Sequence, residues 1–155
     1  MDKHGKKEKD KIKNLHKWGK WESDSFTLCG VHHVQKQDYS VKMDQREFTT
    51  KLSTAEHNLP KNLHRLNGKN KLDATGLTTL RGINGSLQWL ATNTRVDLCA
   101  KVSLSASETS NPTISSLQKA NKIIRQAQRD EALPIHIHAI PLDQLKFGVF
   151  SDAAW

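Results

Sequence analysis

Residues 77–97, Leu-Thr-Thr-Leu-Arg-Gly-Ile-Asn-Gly-Ser-Leu-Gln-Trp-Leu-Ala-Thr-Asn-Thr-Arg-Val-Asp, decide the fold. Leu77, Leu80, Ile83, Leu87 and Leu90 recur at helical spacing and predict a helix with one apolar face. Gly82 and Gly85 inside it each lower helix propensity by about 1 kcal/mol, a cost that suggests close approach of another backbone. Thr94-Arg95-Val96-Asp97 fits a capping box, in which the threonine and the aspartate three residues later satisfy free amides at the start of a second helix. That helix should run to about Ser107. Asn111-Pro112-Thr113 then breaks the chain, and Ile114, Leu117, Ala120, Ile124 and Ala127 mark the apolar face of a third helix that ends before Pro134. Three helices joined by short breaks predict a small bundle over residues 76–133.

Upstream, Phe26-Thr27-Leu28-Cys29-Gly30-Val31-His32-His33-Val34 alternates with period two. Phe26, Leu28 and Val34 share one face and Cys29 and Val31 the other, which predicts a strand. The polar stretch Gln35 to Asp38 can turn the chain, and Tyr39, Val41 and Met43 form the second arm of a hairpin. A short helix from Gln45 to Leu52 should follow, closing a hairpin-and-helix segment over 26–52. Residues 53–75 are rich in Asn, Lys, Thr and Ser and broken by Pro60 and Gly68, a composition that predicts a polar linker. Downstream of the bundle, residues 134–155 return to period two. Ile135, Ile137 and Ala139 alternate with His136, His138 and Ile140, and Leu145, Phe147 and Val149 with Lys146, Gly148 and Phe150.

The expected class is therefore α+β: a basic N-terminal tail or helix, a hairpin, a three-helix bundle and a two-stranded C-terminal piece left without a sheet of its own. Unpaired strand edges expose backbone donors and acceptors, so such a piece should confer marginal stability and a tendency to aggregate.

Composition narrows the function classes. Hydrophobic residues make up 35% of 155, and no apolar run approaches the roughly 20 residues that a membrane span requires. The first 20 residues lack the apolar stretch of a secretory signal, so Cys29 and Cys99 are expected as free thiols in a reducing intracellular compartment, with cytoplasm and nucleus not distinguished. The sequence does not set an oligomeric state. The formal charge of +8 favours an anionic partner, nucleic acid above all. Much of that excess lies in a basic tail over residues 1–25, where eight lysines from Lys3 to Lys20 face Asp2, Glu8 and Asp10 among the first 20 residues. Such a run is usually solvated.

The segment from Leu80 to Leu104 resembles copia-type retrotransposon polyproteins, in which a Gly-x-Leu-x-aromatic-Leu-Ala helix precedes Thr-Arg-Pro-Asp and a second helix. Gly85, Leu87, Trp89, Leu90, Ala91, Thr94, Arg95 and Asp97 match, while Val96 stands where the family has proline. Pro112-Thr113 with Ala120 to Arg125 is similar to the family's next helix. Leu28-Cys29-Gly30-Val31, followed by Met43-Asp44-Gln45, is similar to its Phe-Leu-Gly-Ile hairpin, with Cys29 replacing an apolar residue. Leu145 to Trp155 looks like the opening strand of the ribonuclease H domain.

The resemblance covers roughly residues 18–155. It implies the thumb and connection region of a reverse transcriptase running into ribonuclease H, with the hairpin acting as a primer grip. It also makes Asp152 the counterpart of the first ribonuclease H metal carboxylate, a magnesium ligand in the full-length family. The chain would then begin after the polymerase carboxylates and stop just past the first ribonuclease H carboxylate.

Two-metal phosphoryl transfer needs clustered carboxylates. The sequence has no adjacent Asp-Asp pair, and Asp152 alone cannot complete a ribonuclease H site. This chain is thus expected to be no enzyme by itself and to hold no cofactor. His136 and His138 share a strand face at a spacing that can chelate zinc, but no further ligand lies near in sequence. His32 and His33 should point to opposite faces. Ser, His and Asp all occur, without any local nucleophile signature. Trp18, Trp21 and Phe26 interleave with Lys17 and Lys20, a composition suited to base stacking or, more simply, to anchoring the hairpin in a core. Trp89 is expected to pack between helices.

The expected partner is an RNA/DNA duplex, met by the hairpin tip at Cys29, Gly30 and Val31 and by Arg81, Lys101, Lys119, Lys122, Arg125 and Arg129 on the helices. The alternative is an inert interaction protein, or a decayed element copy without selected function.

Overall fold

The structure, a computed structural model, describes residues 3–15, 22–55, 70–131, 133–146 and 148. It is mixed α+β. The described elements run α1 (Lys3–Leu15), β1 (Ser25–Leu28), β2 (Val31–Gln35), β3 (Val41–Asp44), α2 (Arg46–Lys51), α3 (Ala74–Asn93), α4 (Cys99–Ser107), α5 (Ile114–Arg129) and β4 (Ile135–Ile137). Asp152, Trp18 and Trp21 lie outside the described residues.

The bundle follows from its apolar spacing. Leu80, Leu87 and Leu90 of α3 are fully buried, and Leu117, Ala120, Ile124 and Ala127 of α5 meet them, with Leu98 and Val102 filling the gap from the side of α4. Each fully buried leucine stabilises the fold by about 1.5–3 kcal/mol relative to exposure. The helix α3 starts three residues before Leu77, because Asp73 Oδ1 accepts from the Gly76 amide at 2.7 Å. Position 76 is tight: a Cβ there would lie 3.0 Å from the Leu72 side chain and 3.1 Å from Asp73 Oδ1, so those side chains would have to shift to admit one. Gly82 and Gly85 behave in the opposite way. They are exposed, and a Cβ added to either would meet nothing within 4 Å, so no backbone packs against them.

The capping box also sits elsewhere than expected. Thr94 Oγ1 donates to Gln45 Oε1 at 2.8 Å and Asp97 pairs with Arg95, so neither caps the next helix. Residues Val96–Leu98 form a 3-10 turn that leads into α4. The box occurs at α5 instead, where Thr113 Oγ1 accepts from the Ser116 amide and Ser116 Oγ accepts from the Thr113 amide, both at 3.2 Å.

Residues 26–34 do not form one strand. Cys29 and Gly30 both adopt positive φ, 49° and 78°, and close a two-residue hairpin with Leu28 opposite Val31. Two positive φ values match the twist of the flanking strands, which overrides the continuous alternation. The next turn takes in Tyr39 (φ 65°), held by the Asp38 carboxylate, which accepts from the Ser40 amide and hydroxyl at 3.0 and 2.6 Å.

The C-terminal strand finds a sheet after all. Ile135, His136 and Ile137 lie opposite Met43, Lys42 and Val41, so β4 completes an antiparallel sheet in the order β1-β2-β3-β4. It forms no hairpin with Leu145 and Lys146, which are not in a strand. The helix α5 has already ended at Arg129, with Asp130 as its C-cap, and the open edge of β3 supplies the missing ladder.

The helix α2 joins sheet to bundle. Phe48 and Leu52 pack against the bundle core, Gln128 Nε2 donates to Leu52 O at 2.7 Å, and the Ala55 amide donates to Asn121 Oδ1 at 3.0 Å. The start of the expected linker is thus anchored. Its far end is too, through a bridge between Lys71 and Thr113.

Candidate nucleic-acid interface

The helix α5 buries its apolar face and turns Lys119, Lys122, Arg125 and Arg129 outward. Between it and α4 runs a groove of about 420 Å³, lined by Lys101, Leu104 and Glu108 on one side and Lys119, Lys122 and Ile123 on the other. The structure therefore brings Lys101 of α4 beside Lys119 and Lys122, neighbours on one face of α5. Lys101 Nζ donates to Gln126 Oε1 at 2.7 Å, and Lys119 Nζ lies 2.6 Å from Glu108 Oε1. The Lys119 bond, helped by the Ser116 hydroxyl, holds the Glu108 carboxyl below the usual carboxylate range. Arg129 makes a longer pair with Asp130, at 3.3 Å. Arg81 is exposed on α3 and does not line the groove.

At the hairpin tip Cys29 and Gly30 are exposed, whereas Val31 is buried and can offer a partner no side chain. Beside the tip, a second cavity of about 490 Å³ is lined by residues that include Gly30, His32, Lys42, Asp44 and Arg46. Ser25 Oγ lies 3.0 Å from His32 Nε2, and His32 Nδ1 lies 4.0 Å from Asp44 Oδ2. This resembles the order of a nucleophile, a base and its orienting acid. However, Asp44 Oδ1 accepts from the Arg46 amide at 3.2 Å, and Oδ2 is as near Lys42 Nζ as it is to the imidazole. With His32 directly opposite Asp44 in the register, the trio is a polar ladder across three strands.

The aromatic residues part from their expected places. Trp89 is 41% exposed and does not fill the space between helices. Phe26 lies on the sheet surface, stacked on His33 with ring centroids 4.9 Å apart, and anchors no core. Its position with His33, while Ser25 meets His32, agrees with opposite faces for the two histidines. His136 and His138 are exposed, with centroids 6.2 Å apart, and no group of three or more metal-ligating side chains forms among the described residues.

Arg95 is what the sequence reading missed. Its side chain is 2% exposed; Nε and Nη2 bind the two oxygens of Asp97 at 2.8 and 2.9 Å. Nη1 donates to the Ala127 and Asp130 carbonyls at 3.0 and 3.1 Å, closing the C-terminal end of α5. With Thr94 bound to Gln45, the Thr-Arg-x-Asp run fastens the α3–α4 connection both to α5 and to the start of α2. The spacing was visible, but a helix start is the commoner use of threonine and aspartate at that interval.

No family model, curated protein or solved structure matches this chain.

Proposed function

We propose that this chain is a nucleic-acid-holding part of a copia-type reverse transcriptase polyprotein, and that it clasps an RNA/DNA duplex by shape and phosphate contacts without carrying out the chemistry. The observation that supports this most is the outward face of α5, where four cations follow one another, with Lys101 of α4 beside them. Cations along one helix can track a phosphate backbone and release its counterions. Arg81 and the hairpin tip would make outlying contacts. Magnesium would be held by Asp152 and further carboxylates of the full-length family.

The test is binding of a labelled RNA/DNA hybrid as a function of salt. With about four phosphates neutralised, log K should fall against log salt with a slope of about −3 to −4. Lys122→Glu together with Arg125→Glu should weaken binding roughly tenfold or more. Absence of affinity at low ionic strength would sink the proposal and leave the inert interaction protein or decayed copy as the better reading.

A further inference from the structure

The groove between α4 and α5 has a rim and a floor of different chemistry, and the floor is ill suited to phosphate. Leu104 stands 69% exposed in its wall, and Ile123 lies beneath. Ser105, the polar group at the base, is already satisfied: its hydroxyl donates to Asn84 Oδ1 at 2.8 Å, and its carbonyl accepts from Asn84 Nδ2 at 3.2 Å. Gln126 also lines the groove, with its Oε1 accepting from Lys101 Nζ at 2.7 Å, so a phosphodiester laid on the Leu104 and Ile123 floor would lose water against apolar side chains. The rim is different, with Lys101, Lys119 and Lys122 set against the single carboxylate of Glu108.

An apolar trough between two antiparallel-running helices, edged by an excess of positive charge, is complementary to an amphipathic helix that carries acidic flanks. We infer that this groove docks an acidic amphipathic segment of a partner protein, with one or two aliphatic side chains seated against Leu104 and Ile123 and its carboxylates meeting the three lysines. The occupant is not α1. That helix is itself lysine-rich, and like charges would repel it from the rim. This inference goes beyond duplex holding and does not depend on it.

The test uses the full chain and a fluorescently labelled helical peptide of about 15 residues, with leucines at i and i+4 and glutamates on the flanking positions. A second peptide replaces the leucines with serine. Saturable binding is expected for the first, with affinity at least about tenfold higher than for the second. Leu104→Ser, an uncharged change at an exposed position that leaves the core untouched, should weaken the leucine peptide roughly tenfold, and Lys101→Glu should weaken it by several-fold with reduced salt dependence. A thermal melt of each variant checks that the fold is retained.

Equal binding of both peptides would mean general attraction to positive charge and would overturn the inference. So would indifference to Leu104→Ser, or no binding at all. An RNA/DNA duplex whose own affinity falls with the uncharged Leu104→Ser and which displaces the peptide would assign the trough to nucleic acid instead, and would overturn it equally.

Discussion

The sheet and the bundle are held together in different ways. Among the described strands Val31 is the one buried apolar side chain, and every residue of β1 is exposed, so the sheet rests on backbone ladders and on polar contacts such as Ser25 with His32. The bundle buries leucine, isoleucine, valine and alanine from three helices in one contiguous core. Since apolar burial is the dominant favourable term, cooperative stability should reside in α3, α4 and α5, while the sheet opens at lower cost. The hairpin tip thus belongs to the sparsely buried region, and the cationic face of α5 is backed by the core. A rigid helix holds its charges at fixed spacing, which suits a surface that must match a regular partner.

The contrast can be broken most directly in the core. Leu87→Ala removes a fully buried side chain from the middle of α3 and should cost about 3–4 kcal/mol, read as a lowered urea midpoint with little change in slope. A loss below about 1 kcal/mol would mean that the bundle is not the stable unit.

Arg95→Ala comes next, at about 2–3 kcal/mol, because it strips the Ala127 and Asp130 carbonyls of their donor and leaves a void. The same pair makes a pH prediction. Hydrogen bonding from Arg95 holds the Asp97 carboxyl below its ordinary value. A depressed folded pKa contributes stability that is present above the unfolded value and lost as pH falls through the folded one. Acidification should therefore destabilise the protein, and Asp97→Asn should flatten that part of the stability profile. The effect should be small, since the Asp97 side chain is 43% exposed.

Gln45→Ala tests the joint between the two regions. It removes the acceptor of Thr94 and should cost about 1–2 kcal/mol, and amide exchange in β3 and β4 should accelerate more than in α3. Uniform acceleration throughout would show that sheet and bundle open as one unit. The smallest effect has the opposite sign. Gly82→Ala, in an exposed helix interior with open space for a methyl group, should stabilise by about 0.5–1 kcal/mol, raising the melting temperature.

The helices were legible because their apolar residues repeat within the chain segment itself. Leu80, Leu87 and Leu90, and again Leu117, Ile124 and Ala127, are buried as their spacing predicts. Positions whose role depends on a distant partner were not. Helix propensity alone suggests close packing at Gly82 and Gly85, which stand open, whereas Gly76, outside the expected helix, is the tight one. Of the candidate interface, the cations Lys101, Lys119 and Lys122 follow from their charge and from the helices that the copia-type resemblance implies. Their meeting around Leu104 required α4 and α5 to be packed side by side.

Local periodicity was thus enough to specify the α+β class and three helices of the bundle, since helix and strand patterns are set by neighbours within a few residues. Tertiary packing decided the rest. It paired β4 with β3 across some ninety residues of chain, buried Arg95 against the end of α5, and turned a Thr-Arg-x-Asp run from a helix cap into a fastening. Hydrogen-bond partners distant in sequence leave no period in it, so only the folded arrangement could reveal them.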